Sequence, residues 1–232
     1  MPHRAARLVI ASVAFAAALI ATRVVVTESL LFFFLLWNLF LALVPLALSR
    51  HLARLARPSA VALGVGAVWL LFFPNAHYLL TDLIHVHRGT AAPLWYDLVL
   101  LLAAAWSGVL IGTVTLADVH GAVARWYGSR VGWGVALGAL VLGSFGVYLG
   151  RFLRWNSWDV LTQPRSLLAD VIAPVLDPLG HTQAVGTTVL FSVLLTLCYL
   201  ALRPLVQVPA SAQRETPPDT RSGGVSRSGP GC

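Results

Sequence analysis

Apolar residues run along this chain in six long blocks, at about residues 8–26, 29–48, 59–80, 94–117, 131–152 and 184–202. Each is close to the ~20 residues that a helix needs to cross a hydrocarbon core about 30 Å thick. The third block is the least regular, because Pro74 and Asn75 interrupt it near one end. A further stretch, 165–179 (RSLLADVIAPVLDPL), has Leu167, Leu168, Val171, Ile172, Val175 and Leu176 on helical spacing, with Asp170 and Asp177 opposite. Pro164 suits a first helical turn and Pro174 kinks or ends a helix. This pattern predicts a short amphipathic helix lying on the membrane surface, with a re-entrant hairpin as the alternative. The expected fold is therefore all-α: a polytopic transmembrane helical bundle of about six spans over residues 1–206. Residues 207–232, rich in Pro, Ser, Gly and Arg, have little to bury and read as a disordered cytoplasmic tail.

Composition strengthens this picture. The 232 residues are 58% hydrophobic and only 11% charged, with a mean hydropathy of +0.79. A soluble domain carries about 25% charged residues, so a soluble globular enzyme is excluded, as is a disordered chain. All 16 basic residues are Arg. A net charge of +7 raises nucleic acid as a partner, but arginines flanking apolar blocks are what membrane insertion requires. The expected partners are membrane lipids, not nucleic acid. With only Cys198 and Cys232, no disulfide scaffold is possible.

The first block has an alternative reading. MPHRAAR is a positive leader and Ala14-Phe15-Ala16 has the small residues of a cleavage site. The apolar run continues to Val26, long enough to span, so a retained signal anchor is the expectation. Arginines then orient the chain. If the N-terminus is cytoplasmic, 11 of the 16 fall inside, leaving Arg23, Arg88, Arg151, Arg154 and Arg165 outside. Most acids fall the other way: Glu28, Asp82, Asp97, Asp159, Asp170 and Asp177 are outside. Both termini are expected in the cytoplasm. The all-Arg, Ala-rich usage points to a GC-rich bacterial genome, and hence to a bacterial inner membrane.

Polar residues gather at two places on the expected outer side. In Phe73–His85, Asn75, Tyr78, Asp82 and His85 fall within about 80° of arc if the segment is helical. Pro74 frees a carbonyl there, which is tolerated at membrane depth only against protein or a wet cavity. In Tyr148–Asp159, a continuing helix would align Tyr148, Arg151, Trp155 and Trp158, with Arg154 and Asp159 at the borders. Trp95-Tyr96-Asp97 opens the fourth span on the same side.

The run from Pro74 to Asp82 and the run YLGRFLRWNSWD from Tyr148 to Asp159 resemble a bacterial polytopic membrane family, domain of unknown function 1361. The likeness extends over roughly residues 25–205. It implies a helical membrane protein and carries with it no reaction, substrate or cofactor.

The residues themselves define a candidate ligand set: Asn75, Tyr78, Asp82, Asp97, Arg151, Arg154, Trp155, Asn156, Trp158 and Asp159. Two arginines suit an anionic or lipid-linked headgroup, with Asp97 and Asp159 expected to orient them. The blander account is an aromatic belt with snorkelling arginines. Asp82, His85 and His87 form D-x-x-H-x-H, but two histidines two apart diverge by about 160° on a helix, so no metal or other cofactor is expected. Three classes stay open: binding or transport, a membrane-embedded enzyme on a lipid-linked substrate with Asp82 or His85 as base, and a structural subunit. Asn38, mid-span, is expected to make an interhelical hydrogen bond. Gly134-x3-Gly138 and Gly146-x3-Gly150 are expected to pack helices within the chain rather than between chains.

Overall fold

A computed structural model describes residues 3–86 and 91–206. The expected tail, 207–232, lies outside the described residues. The chain forms α1 (His3–Thr27), α2 (Phe34–Arg54), α3 (Ala60–Phe72), α4 (Pro74–Thr81), a 3₁₀ turn (Asp82–His85), α5 (Leu94–Tyr127), α6 (Ser129–Phe152), α7 (Asp159–Thr162), α8 (Pro164–Leu176) and α9 (Thr182–Val206). Six of these segments are long and apolar enough to cross a membrane, with α3, α4 and the 3₁₀ turn acting together as the third. The protein is a multi-pass membrane bundle.

Its centre is α5, against which α1, α2, α4, α6 and α9 all pack. Ala, Ser, Thr and Gly line much of its buried surface, from Ala104 to Thr115, which lets neighbours approach closely where no hydrophobic drive operates between helices. At 34 residues α5 runs ten beyond the apolar block. Polar residues there do not stop it, because they have partners in the α2 end: Ser49 donates to Asp118 at 3.4 Å, Arg125 to the Ala53 carbonyl at 2.8 Å and Trp126 to the Leu55 carbonyl at 3.3 Å. Gly128, at φ +89°, then lets the chain reverse into α6.

The third span is broken within the bilayer. Pro74 lies about 21 Å along the helix from Ala60, inside a ~30 Å core. As the first residue of α4 it has no N–H to give to the α3 ladder. Two carbonyls at the end of α3 take side-chain donors instead: Leu71 accepts from Ser157 at 3.1 Å and Phe72 from the Asn75 amide at 3.0 Å. The same amide nitrogen also donates to the Ser157 hydroxyl, at 3.0 Å. A loop beyond α6 is thereby fastened to the break.

Below it, α4 is wedged between α5 and α6. A Cβ at Gly108 would strike the Ala76 carbonyl, one at Gly112 the His77 ring, and one at Gly146 the Pro74 ring. Gly143 and Gly150 lie close to Phe73 and Tyr78, where a Cβ would stand 2.9 and 3.3 Å from the ring carbons. Packing within the chain thus accounts for Gly146 and Gly150, as expected. By contrast a Cβ on Gly134 or Gly138 would meet nothing within 4 Å.

One expectation needs correction. The helical face proposed for Tyr148–Trp158 does not continue, since α6 ends at Phe152. Arg154 takes the left-handed conformation at φ +62°, and the Trp155 N–H turns back to the Leu149 carbonyl at 3.1 Å. Helix α8 forms over Pro164–Leu176, within the stretch where its spacing predicts a helix. Leu168, Ile172, Val175 and Leu176 are exposed, whereas Asp170 faces the protein and accepts from the Trp155 indole at 2.8 Å. Exposed apolar residues suit lipid, and Asp170 is the attachment point. Pro174 is accommodated in the last turn.

Gly112→Leu should drive side-chain atoms into His77 and lower stability by about 1–3 kcal/mol, the usual range for overpacking. Gly134→Leu should change it by no more than about 0.5 kcal/mol. Thermal unfolding of both variants in detergent checks the pair.

Candidate functional site

Helical alternation brings the C-terminal ends of α1, α4 and α6 together with the N-terminal ends of α2, α5 and α9. Two buried ion pairs form at this end of the bundle. In the first, Arg23 donates from Nε to Asp97 Oδ1 at 2.6 Å and from Nη2 to Oδ2 at 3.2 Å. The guanidinium also stacks on Phe32, 4.6 Å from the ring centre. Arg23 is 2% exposed and Asp97 fully buried. Beside it the Tyr96 hydroxyl donates to the Leu19 carbonyl at 2.8 Å, so α1 is stapled to the start of α5.

The second pair is Arg151 with Asp82. Arg151 Nη1 donates to Asp82 Oδ1 at 3.2 Å and to the Tyr78 hydroxyl at 3.3 Å. Its Nη2 lies 3.1 Å from His85 Nδ1, which is also 3.1 Å from the Asp82 carbonyl oxygen. The other Asp82 oxygen accepts from Asn38 at 3.0 Å. This is the interhelical role expected of Asn38, and it ties α2, the third span and α6 to one carboxylate. Both Asp82 oxygens are therefore engaged, by a cation on one side and an amide on the other.

Arg151 and Arg154 open onto a cavity of about 680 Å³, whose lining also includes Asn75, Tyr78, His85, Trp155, Asn156 and Ser157. Apolar residues from α2, α3, α6 and α8 complete the wall, among them Trp37, Leu70, Leu142 and Leu167. No carboxylate belongs to this lining. Asp82 is turned behind Arg151, Asp170 is held by Trp155, and Asp159 is held by its own turn. Asp159 Oδ2 accepts from the Asn156 backbone at 2.7 Å and from its amide at 3.3 Å, while Oδ1 accepts from Thr162 at 3.0 Å. These bonds, the Asn156 backbone N–H first among them, hold its carboxyl below the ordinary carboxylate range.

Of the ten residues in the sequence-derived ligand set, the structure brings Asn75, Tyr78, Arg151, Arg154, Trp155 and Asn156 to the cavity wall. Asp82 stands behind it. Trp158 is 42% exposed and not in the lining. Asp97 and Asp159 do not orient Arg151 and Arg154 as expected, for each already has a full set of nearer donors. Arg23 is what the residue pattern failed to single out: it reads as a helix-end anchor and is the partner of Asp97. Gly108 and Gly112 were legible as a third small-x3-small spacing.

The histidines divide. His85 lines the cavity, His87 lies outside the described residues, and His77 is not in the lining but buried edge-on against Phe73 at 4.8 Å. Among the described residues no three His, Cys, Asp or Glu side chains cluster as metal ligands would.

Arg154 differs from Arg151. It is exposed and forms no hydrogen bond or ion pair within the described residues, whereas Arg151 spends two nitrogens on Asp82, Tyr78 and His85. Arg151→Ala would strand the Asp82 charge, an effect worth about 3–5 kcal/mol when one partner of a buried pair is removed. Adding Asp82→Asn should recover part of that loss. Arg154→Ala alone should cost no more than about 0.5 kcal/mol. Thermal unfolding of the four proteins checks this assignment.

No curated protein and no solved structure matches the chain. A family model does, over residues 37–198, a region that holds Asn38, the broken span, both cavity arginines and the α8 attachment. The chain belongs to the family described as protein of unknown function DUF1361.

Proposed function

We propose that this membrane protein binds an anionic group in the cavity between the third span and α6, as the recognition step of a binding or transport role. The observation that carries this reading is the sign of the wall: two guanidinium groups and no carboxylate around about 680 Å³. Asp82 neutralises Arg151, so the surplus charge rests on Arg154. Asn156, Trp155 and the remaining donors of Arg151 stand beside it. In the low-dielectric setting of a membrane edge, a guanidinium with no counter-ion among the described residues favours a phosphate or carboxylate from outside.

The cavity is proposed to open on the outer leaflet of a bacterial inner membrane, with both termini cytoplasmic. Arg4, Arg7, Arg50, Arg54, Arg57, Arg125 and Arg130 all belong to the opposite end of the bundle, the side on which positive loops are retained. In a Cys-less background, with Cys198 and Cys232 replaced, a cysteine at Ala92 should label from outside intact cells and one at Ser59 should not. Labelling of Ser59 from outside reverses this orientation.

Binding is tested with the purified chain in phosphatidylcholine nanodiscs, titrated with geranyl phosphate and read by tryptophan fluorescence and native mass spectrometry. Arg154→Ala should weaken binding at least about tenfold, equal to about 1.4 kcal/mol, without lowering thermal stability. Arg154→Lys should retain only part of the affinity, keeping the charge but not the planar fork. Unchanged binding in Arg154→Ala overturns the proposal.

A further inference from the structure

A second, apolar cavity adjoins the polar one. Leu70 of α3 and Leu142 of α6 belong both to the lining of the polar cavity and to that of this second one, of about 590 Å³. This second space is a groove between α3 and α6, running from those two leucines to Ser59 and Val131 at the opposite end of the bundle. Apart from Ser59 its wall is apolar or aromatic. On its two flanks Gly66 and Gly138 carry no side chain, and a Cβ on either would meet nothing within 4 Å. Trp126 and Trp69, in the wall, already give their indole N–H groups to the Leu55 carbonyl and the Thr115 hydroxyl, so neither indole donor faces the groove unmet.

We propose that the occupant of this groove is the hydrocarbon tail of the same ligand whose anionic head meets Arg154, and that the ligand is a single-chain isoprenoid lipid phosphate. The proposal rests on the anion-binding reading above and adds the chemical class. Three features select that class. Head and tail sites adjoin at Leu70 and Leu142, so one amphiphile lying along α6 reaches both. Among the described residues, one apolar groove shares lining residues with the cavity, which suits one chain rather than the two of a phospholipid.

Length is the third feature. Arg151 to Leu142 is about 14 Å along α6, and Leu142 to Val131 about 16 Å more. Together they match the whole hydrocarbon core of about 30 Å, whereas an ordinary acyl chain is confined to its own half. A tail that fills the groove must pass the bilayer midplane, as a long polyisoprenoid does.

A tail leaving lipid for this groove gains no hydrophobic transfer energy, since lipid is as apolar as the wall. Its preference comes from dispersion contacts summed over many atoms, and it is therefore sensitive to filling the space. The experiment compares geranyl phosphate with a long polyprenyl phosphate, the same head on a short and a long tail, in the nanodisc titration. The unsubstituted chain, Gly138→Leu, Gly66→Leu and Arg154→Ala are tested together, with thermal unfolding confirming the fold of each.

Long polyprenyl phosphate should bind about tenfold more tightly than geranyl phosphate. Either glycine substitution should remove that advantage while leaving geranyl phosphate unaffected, and Arg154→Ala should weaken both. Equal affinity for the two tails overturns the groove assignment and leaves the anion site standing. So does indifference of long-tail binding to both glycine substitutions. A dimer that Gly138→Leu dissolves, seen by native mass spectrometry, overturns it as well, by making a second copy the occupant. Failure of either phosphate to bind the folded chain removes the anion reading itself.

Discussion

A carbonyl without a donor inside a bilayer costs several kcal/mol, and the break at Pro74 exposes the protein to that cost at the end of α3. Its solution shapes the rest of the polar end. Ser157 and Asn75 supply the donors for Leu71 and Phe72, so the loop after α6 must come back to the third span. That return requires α6 to stop at Phe152 and the chain to reverse through Arg154. The reversal exposes the Arg154 side chain at the cavity wall. Cavity and break are thus one feature: the same polar loop that satisfies the backbone also forms the roof over the space beside it.

The two ion pairs show how one chemistry serves different ends at different burial. Arg23–Asp97 is sealed, with side-chain exposures of 1% and 0%, and Phe32 closes the guanidinium face. Nothing outside the protein can compete for it. Arg151–Asp82 is asymmetric, with the carboxylate at 1% and the guanidinium at 12%. The acid is committed to structure, joining Asn38, the 3₁₀ turn and α6, while the base retains an edge on the cavity. Asp82 is accordingly badly placed for general-base chemistry, which needs the carboxylate within reach of a substrate proton.

Six spans were legible because apolar run length is set by bilayer thickness, a constraint that acts on sequence directly. Pro74 and Asn75 announced the break for the same reason: few residues disturb a membrane helix so locally. Contacts between distant spans were not legible. Arg23 and Asp97 are 74 positions apart, and no spacing rule tells which face of one helix meets which face of another. The end of α6 was hidden because Arg154 occupies a left-handed position that glycine usually takes. In α8, periodicity located both faces, but a membrane protein turns the rule for soluble helices over. Leu168 and Leu176 face out to lipid, while Asp170 faces in.

Uneven packing along the third span gives the site its mechanical character. In α4, Ala76, His77, Leu79 and Thr81 are all buried, and glycines of α5 and α6 press against it. In the longer α3 only Ala62 and Trp69 are buried, and Trp69 is held by a hydrogen bond to Thr115. The half that bears the polar residues is clamped, and the half that bounds the apolar groove packs on α2 but touches α6 little. A rigid head site favours discrimination among charged groups, because its donors are already in place before the ligand arrives. The sparse packing of α3 on α6 makes the groove between them accessible sideways from the membrane, the direction from which a lipid must come. Pro74, by uncoupling the two halves of one span, allows both properties to coexist within about 40 Å of helix.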